Sequence, residues 1–237
     1  MDGERLRISA KNLGAMSLPE FCPRCFWLKT RAKKLPFQIF PGIFSSIDAY
    51  TKRVVHGWID ELGPPAWLDG IGRITGYIDP PSYHTFQMVV DDFDILLTGA
   101  ADGILKLADG SIAIIDYKTA KYTANQDALL PMYATQLNGY ALIAEHLGMG
   151  TVSKLALMYA EPVTDPWTAR TDVVRTEEGF RMPLAVSIHG VPLDVGQLTP
   201  LLERAREIYD FPEAPNRKPG CPDCEKLDRL MLLAGTR

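Results

Sequence analysis

The sequence predicts an α/β fold in which a central mixed β-sheet is flanked by helices and the N- and C-terminal segments can be joined at a four-cysteine metal site. Three observations predict it. Ile112-Ala113-Ile114-Ile115 is a continuous apolar run, as expected of a strand covered on both faces. Helical patterns follow, one with Pro131 near its start and Gly148 as a stop signal, the other over Thr199–Tyr209. All four cysteines fall in two C-x-x-C pairs, one near each end of the chain.

The 237 residues, 46% apolar and 23% charged, exclude disorder and suit one elaborated domain over 1–237. The opening stretch is too charged for a signal peptide, and no apolar run approaches the ~18 residues that span a membrane, so a cytoplasmic protein is expected. The formal net charge of −4 hides an asymmetry: residues 1–60 hold ten Lys/Arg against five Asp/Glu, which leaves the acidic excess to the remainder. An acidic remainder suits carboxylates around a cation and a basic end suits an anionic polymer, although spread surface charge gives the same count. No internal repeat and no glycine-rich phosphate loop of the Walker type is present, so any unwinding is expected to come from a partner.

In chain order, the first pair is Cys22-Pro23-Arg24-Cys25 and the last is Cys221-Pro222-Asp223-Cys224. A two-residue gap lets both sulfurs converge on one ion from a tight turn. Zinc ribbons bring their two pairs within about 15–20 residues of each other, whereas here nearly the whole chain lies between them. A shared centre would staple the ends together; two independent pairs of thiols fit the spacing as well. After the first pair, Lys29, Arg31, Lys33 and Lys34 follow Phe26 and Trp27. Cations for phosphates and rings for bases suit a single-strand channel, and a solvated charged face is the plainer reading.

Strands are predicted at Ile95–Thr98, Ala101–Leu107, Ser111–Lys118, Val152–Ala160 and Arg181–Ile188, with Asp109-Gly110 as a turn. Asp116 and Lys118 end the buried run on one face, because side chains alternate along a strand. The loop length then decides where Asp102 lies. A two-residue loop puts Asp102 opposite Tyr117, on the wrong face. The three-residue loop Ala108-Asp109-Gly110, with Gly110 left-handed, puts it opposite Asp116, and this loop is the expected one. Two facing carboxylates repel unless a proton or a divalent cation sits between them, and Mg²⁺ or Mn²⁺ suits all-oxygen ligands. A solvated surface hairpin is the bland alternative.

The pattern Gly99-Ala100-Ala101-Asp102, Ile114-Ile115-Asp116-Tyr117-Lys118-Thr119 and Gln136-Leu137-Asn138-Gly139-Tyr140 resembles the PD-(D/E)XK nuclease superfamily, in its RecB-like branch. With Cys22-Pro23-Arg24-Cys25-Phe26-Trp27-Leu28, the chain is similar to the iron–sulfur members of that branch: the CRISPR-associated spacer-acquisition exonucleases and AddB-type nuclease domains. The resemblance implies a restriction-endonuclease-like sheet. Asp102 and Asp116 would ligate the catalytic Mg²⁺ or Mn²⁺, with a further ligand from the Tyr117 carbonyl. Lys118 would orient or activate the attacking water, and Gln136 and Tyr140 would support the lysine and the substrate. It also implies that Cys22, Cys25, Cys221 and Cys224 bind an iron–sulfur (4Fe-4S) cluster, with Zn²⁺ as the alternative. Those relatives use one cysteine at the front and three at the back, whereas this chain has two and two.

One further departure concerns a histidine ligand that the branch places four residues after a glycine. Counting from Gly42, Ser46 stands there, which leaves Asp48, His56 or nothing to replace it. For Asp48 the plainer reading is a helix pair with Lys52, and for His56 a packed or solvated ring. The activity implied is a metal-dependent DNA nuclease: a single-strand exonuclease of CRISPR adaptation, recombination or repair, with an integrase or helicase as partner. A non-catalytic DNA-binding or assembly module is the alternative, and RNA as substrate stays open.

Overall fold

The structure, a computed structural model, describes residues 5–32, 41–123 and 128–235. Lys33 and Lys34 of the basic string lie outside them. The strands are β1 (Leu6–Ser9), β2 (Ile74–Ile78), β3 (Gln87–Val90), β4 (Ile95–Thr98), β5 (Gly103–Leu107), β6 (Ile112–Lys118), β7 (Val152–Pro162), β8 (Arg175–Thr176), β9 (Gly179–Phe180) and β10 (Leu184–Val191). The helices are α1 (Ala10–Gly14), α2 (Pro23–Arg31), α3 (Gly42–Leu62), α4 (Leu130–His146), α5 (Leu198–Asp210) and α6 (Pro222–Leu233).

The mixed sheet has the order β10-β7-β6-β5-β2; β6 and β7 run parallel and the other pairs are antiparallel. The apolar run lies in β6, near the middle, and its side chains divide between two cores. Ile112 and Ile114 pack with α4, α1 and α5, while Ala113 and Ile115 pack with Val55 of α3, Leu68 and Ile71. This two-sided burial is why the run reads as unbroken rather than alternating. Between the sheet and α1, α4 is buried from Thr135 through Ala141. The buried Asn138 amide is satisfied: it donates to the carbonyls of Ala134 and Pro192 and accepts from the Asp194 amide at 2.7 Å.

A second sheet, β1-β4-β3, was not anticipated. Ile95–Thr98 forms a strand as expected but pairs in parallel with β1 and antiparallel with β3, away from the main sheet. The last long strand is Leu184–Val191 rather than Arg181–Ile188, because its partners are set by β7, with Leu184 opposite Pro162. The cysteine pairs also differ from expectation. Each was read as a tight turn; instead Cys22 and Cys221 are the N-caps of α2 and α6, and Pro23 and Pro222 take the first helical positions. Proline suits that position because its missing N–H would be unpaired there anyway. No helix among the described residues is long and apolar enough to cross a membrane.

Candidate functional site

The register of β5 against β6 builds the site. Gly103 faces Ile115 and Ile104 faces Ile114, a pairing that continues to Asp102 opposite Asp116. It follows from the three-residue loop. The Leu107 amide donates to the Ser111 carbonyl at 2.9 Å, and Gly110, at φ 85°, takes the left-handed position that a side chain would disfavour.

At the end of β6, Asp116 is 3% exposed and ion-paired through Oδ2 to Lys118, two residues on. Its Oδ1 accepts a hydrogen bond from Gln136 Nε2 at 2.9 Å, and the same nitrogen donates to the Tyr140 hydroxyl at 2.8 Å. Four-residue helical spacing puts Gln136 and Tyr140 on one face of α4, the face turned to the sheet end. Asp102 Oδ2 accepts from the Tyr117 amide at 2.9 Å, and its Oδ1 lies 3.0 Å from Lys52 Nζ. The Lys118 ammonium sits over the Tyr133 ring, 4.3 Å from its centroid.

Gly99 has a steric role in this arrangement. A β-carbon there would stand 2.7 Å from the Tyr140 ring and 2.9 Å from that of Phe86, so the ring that receives the Gln136 bond occupies the place of a side chain.

Charge follows from burial. Removal from water raises the Asp116 carboxyl to about 6; Lys118 opposes that rise and the Asp102 carboxylate adds to it. Tyr117 and Tyr140 are pushed up by burial and by the nearby carboxylates. Burial works against the charge of Lys52, but Asp102 and Asp48 hold it above the ordinary lysine value.

Above these groups lies a cleft of ≈ 620 Å³ whose lining includes Lys11, Phe44, Asp48, Tyr133 and Tyr159. Gln136 Oε1, buried beneath it, has no hydrogen-bond partner among the described residues. Two converging carboxylates, one of them hard to ionise when dry, fit a hard divalent cation with oxygen ligands.

Neither replacement for the absent histidine is placed as a third ligand. Asp48 pairs with Lys52 at 2.9 Å, so it is the ammonium that reaches Asp102. His56 stacks on Tyr77 with ring centroids 3.8 Å apart, and Ser46 donates to the Gly42 carbonyl. Lys52, seen from sequence only as a partner of Asp48, is the missed site residue; its spacing from Asp48 was the available signal. Lys11 and Tyr133 were also missed, because they reach the cleft only through the packing of α1 and α4.

Of the basic string, Arg31 and the preceding rings are engaged within the protein. Phe26 is core, and Arg31 lies flat on Trp27, 3.9 Å from the ring centroid, donating to the carbonyls of Tyr209 and Phe211. That cation serves the contact between α2 and α5, and Lys29 remains exposed.

Cys22, Cys25, Cys221 and Cys224 converge with all four sulfurs within 4.8 Å of one another, forming no disulfide. Burial pushes Cys22 up, but the Lys218 amide, 3.3 Å away, and the neighbouring thiols bring it down to about 7. Cys224 is raised to about 11, and Cys25 is also raised, burial being the largest cause for both.

The mixed sheet flanked by helices defines the class of fold, and a family model assigns the family. The family model of the PD-(D/E)XK nuclease superfamily matches residues 53–228, so the chain belongs to that superfamily. Its fold is accordingly restriction-endonuclease-like, and the superfamily's nucleases generally depend on divalent metal. The chain is similar to a solved structure described as the crystal structure of SSO0001, at 16% identity and a TM-score of 0.41, covering 90% of this chain and 81% of that one. No curated protein matches.

Proposed function

We propose that this chain is a Mg²⁺- or Mn²⁺-dependent DNA nuclease of the RecB-like branch, an exonuclease on single-stranded ends working in CRISPR adaptation or in recombination and repair. The observation that carries the reading is the Gln136 amide bonded at once to Asp116 and Tyr140. It ties the Q-x-x-x-Y segment of α4 to Asp116 of β6, and Asp102, just before β5, is tied to the same strand through the Tyr117 amide, so three separate stretches of sequence meet at one site.

Asp102 and Asp116 would hold the divalent ion, which supplies an activated water and polarises the phosphodiester. The chain's own groups do the positioning. Gln136 fixes Asp116 through Oδ1, which leaves Oδ2 toward Lys118. The Tyr117 amide fixes Asp102 in the same way. Lys118, steadied over Tyr133 and paired with Asp116, holds an ammonium beside the carboxylates, where it would offset charge on a phosphate under attack. Lys11 offers a further cation to the nucleic-acid backbone, and Phe44 and Tyr133 line the same cleft.

The test is digestion of linear and circular single-stranded DNA, linear duplex and RNA of one sequence, with Mn²⁺ or Mg²⁺. The proposal expects progressive loss of nucleotides from the linear single strand and survival of the circle. Nicking of the circle would make the protein an endonuclease. Binding without cleavage on every substrate would make it a DNA-binding or assembly module.

A further inference from the structure

The sulfur spacing at the cysteine centre selects what the centre holds. Cys22 and Cys25 come from the first turn of α2, Cys221 and Cys224 from the first turn of α6. Three of the four separations across the pairs are 3.7 Å (Cys22–Cys224), 3.6 Å (Cys25–Cys221) and 3.4 Å (Cys25–Cys224), and all four sulfurs lie within 4.8 Å of one another. Four thiolates bound to one zinc ion at about 2.3 Å occupy the corners of a tetrahedron with edges of roughly 3.8 Å. In a four-iron cubane each thiolate binds a different iron, which sets the sulfurs on the order of 6 Å apart. The observed distances match the first figure and fall far short of the second.

Opening the set to cluster size would mean drawing α2 and α6 apart. The surroundings resist that: Cys22, Cys221 and Cys224 are buried, and Lys218, just before α6, donates its amide to Cys22 Sγ. The donor set points the same way. Two cysteines from each of two matching helix starts make a closed four-ligand clasp with no position left for substrate. The positive ends of both helices, capped by Cys22 and Cys221, offset the charge of four thiolates around a divalent ion.

We propose that the four cysteines hold a single tetrahedral Zn²⁺ ion as a structural clasp between the chain ends, in place of the 4Fe-4S cluster that the family resemblance implies. The inference concerns a centre separate from the carboxylate cleft and stands whether or not the nuclease reading does.

The test is the metal content and spectrum of protein purified anaerobically from cells supplied with both iron and zinc. The expected result is one zinc per chain, no iron and no colour. Exchange of the zinc for Co²⁺ should give the intense visible bands of a tetrahedral cobalt thiolate, and Cys25→Ser, with three thiolates left, should weaken and shift them. The wild-type cobalt spectrum keeps the test decisive if that variant fails to fold. Four irons with labile sulfide, one iron alone, or a metal-free protein with four titratable thiols would each overturn the proposal. Asp116→Asn should leave the zinc ratio unchanged, so a failed nuclease assay and a failed zinc assay are separate results.

Discussion

Replacing Asp116 by Asn should stabilise the metal-free protein at neutral pH while abolishing cleavage. Burial raises this carboxyl from 3.8 to about 6, so the folded protein holds a proton between those values that the unfolded chain has released. Stability therefore falls as pH rises through that window, and the cost is fully present above about pH 6. The difference corresponds to roughly 3 kcal/mol at pH 8. Asn keeps an oxygen for Gln136 Nε2 but gives up the ion pair with Lys118. The net gain should thus be about 1–3 kcal/mol, or several degrees in Tm for a chain of this size. The assay is thermal unfolding of both proteins with chelator, at pH 8 and at pH 4.5. The variant should unfold at higher temperature at pH 8, and the gap should close at pH 4.5. Divalent metal should raise the Tm of the wild type alone. An Asn variant that is less stable at pH 8, or equally shifted at both pH values, would refute the reasoning.

Three further outcomes follow from the same geometry. Lys52→Ala removes the ammonium 3.0 Å from Asp102, so Mn²⁺ affinity measured by calorimetry should rise by several-fold, about 1 kcal/mol for a partly exposed charge. Gln136→Leu leaves Asp116 Oδ1 and the Tyr140 hydroxyl without their shared donor, a loss of about 1–3 kcal/mol. In steady-state assays kcat should fall by tenfold or more with KM little changed. Gly99→Ala forces a methyl into the Tyr140 ring, so Tm should drop by an amount equivalent to about 1–3 kcal/mol, with a parallel loss of cleavage.

The geometry of the carboxylate pair was legible because it is local. A left-handed glycine at Gly110 fixes the loop, the loop fixes the register, and the two-residue period of a strand then fixes which side chains face each other. The ends of the chain were half legible. C-P-x-C marks a pair of converging thiols, yet the proline also marks a first helical position, and that second meaning decides the structure. What the sequence did not reveal depends on docking between distant elements. Lys52 reaches Asp102 only because α3 packs across the sheet end, and Arg31 turns inward only because the end of α5 offers the Tyr209 ring and carbonyl and the residue that caps it offers the Phe211 carbonyl. In the β1-β4-β3 sheet β4 was legible, but β1 and β3, of four residues each, are too short for a periodicity signal, and β1 is recruited from the far N-terminal side.

The central claim is that Asp102, Asp116 and Lys118 form one hydrolytic site, and Lys118→Met tests it most directly. The variant keeps both carboxylates and the length of the side chain while removing the ammonium. In a time course on end-labelled single-stranded DNA with saturating Mn²⁺, the account predicts cleavage by the wild type and a loss of at least a hundredfold in the variant, with Mn²⁺ still bound. Equal rates for the two proteins at equal metal occupancy would contradict it.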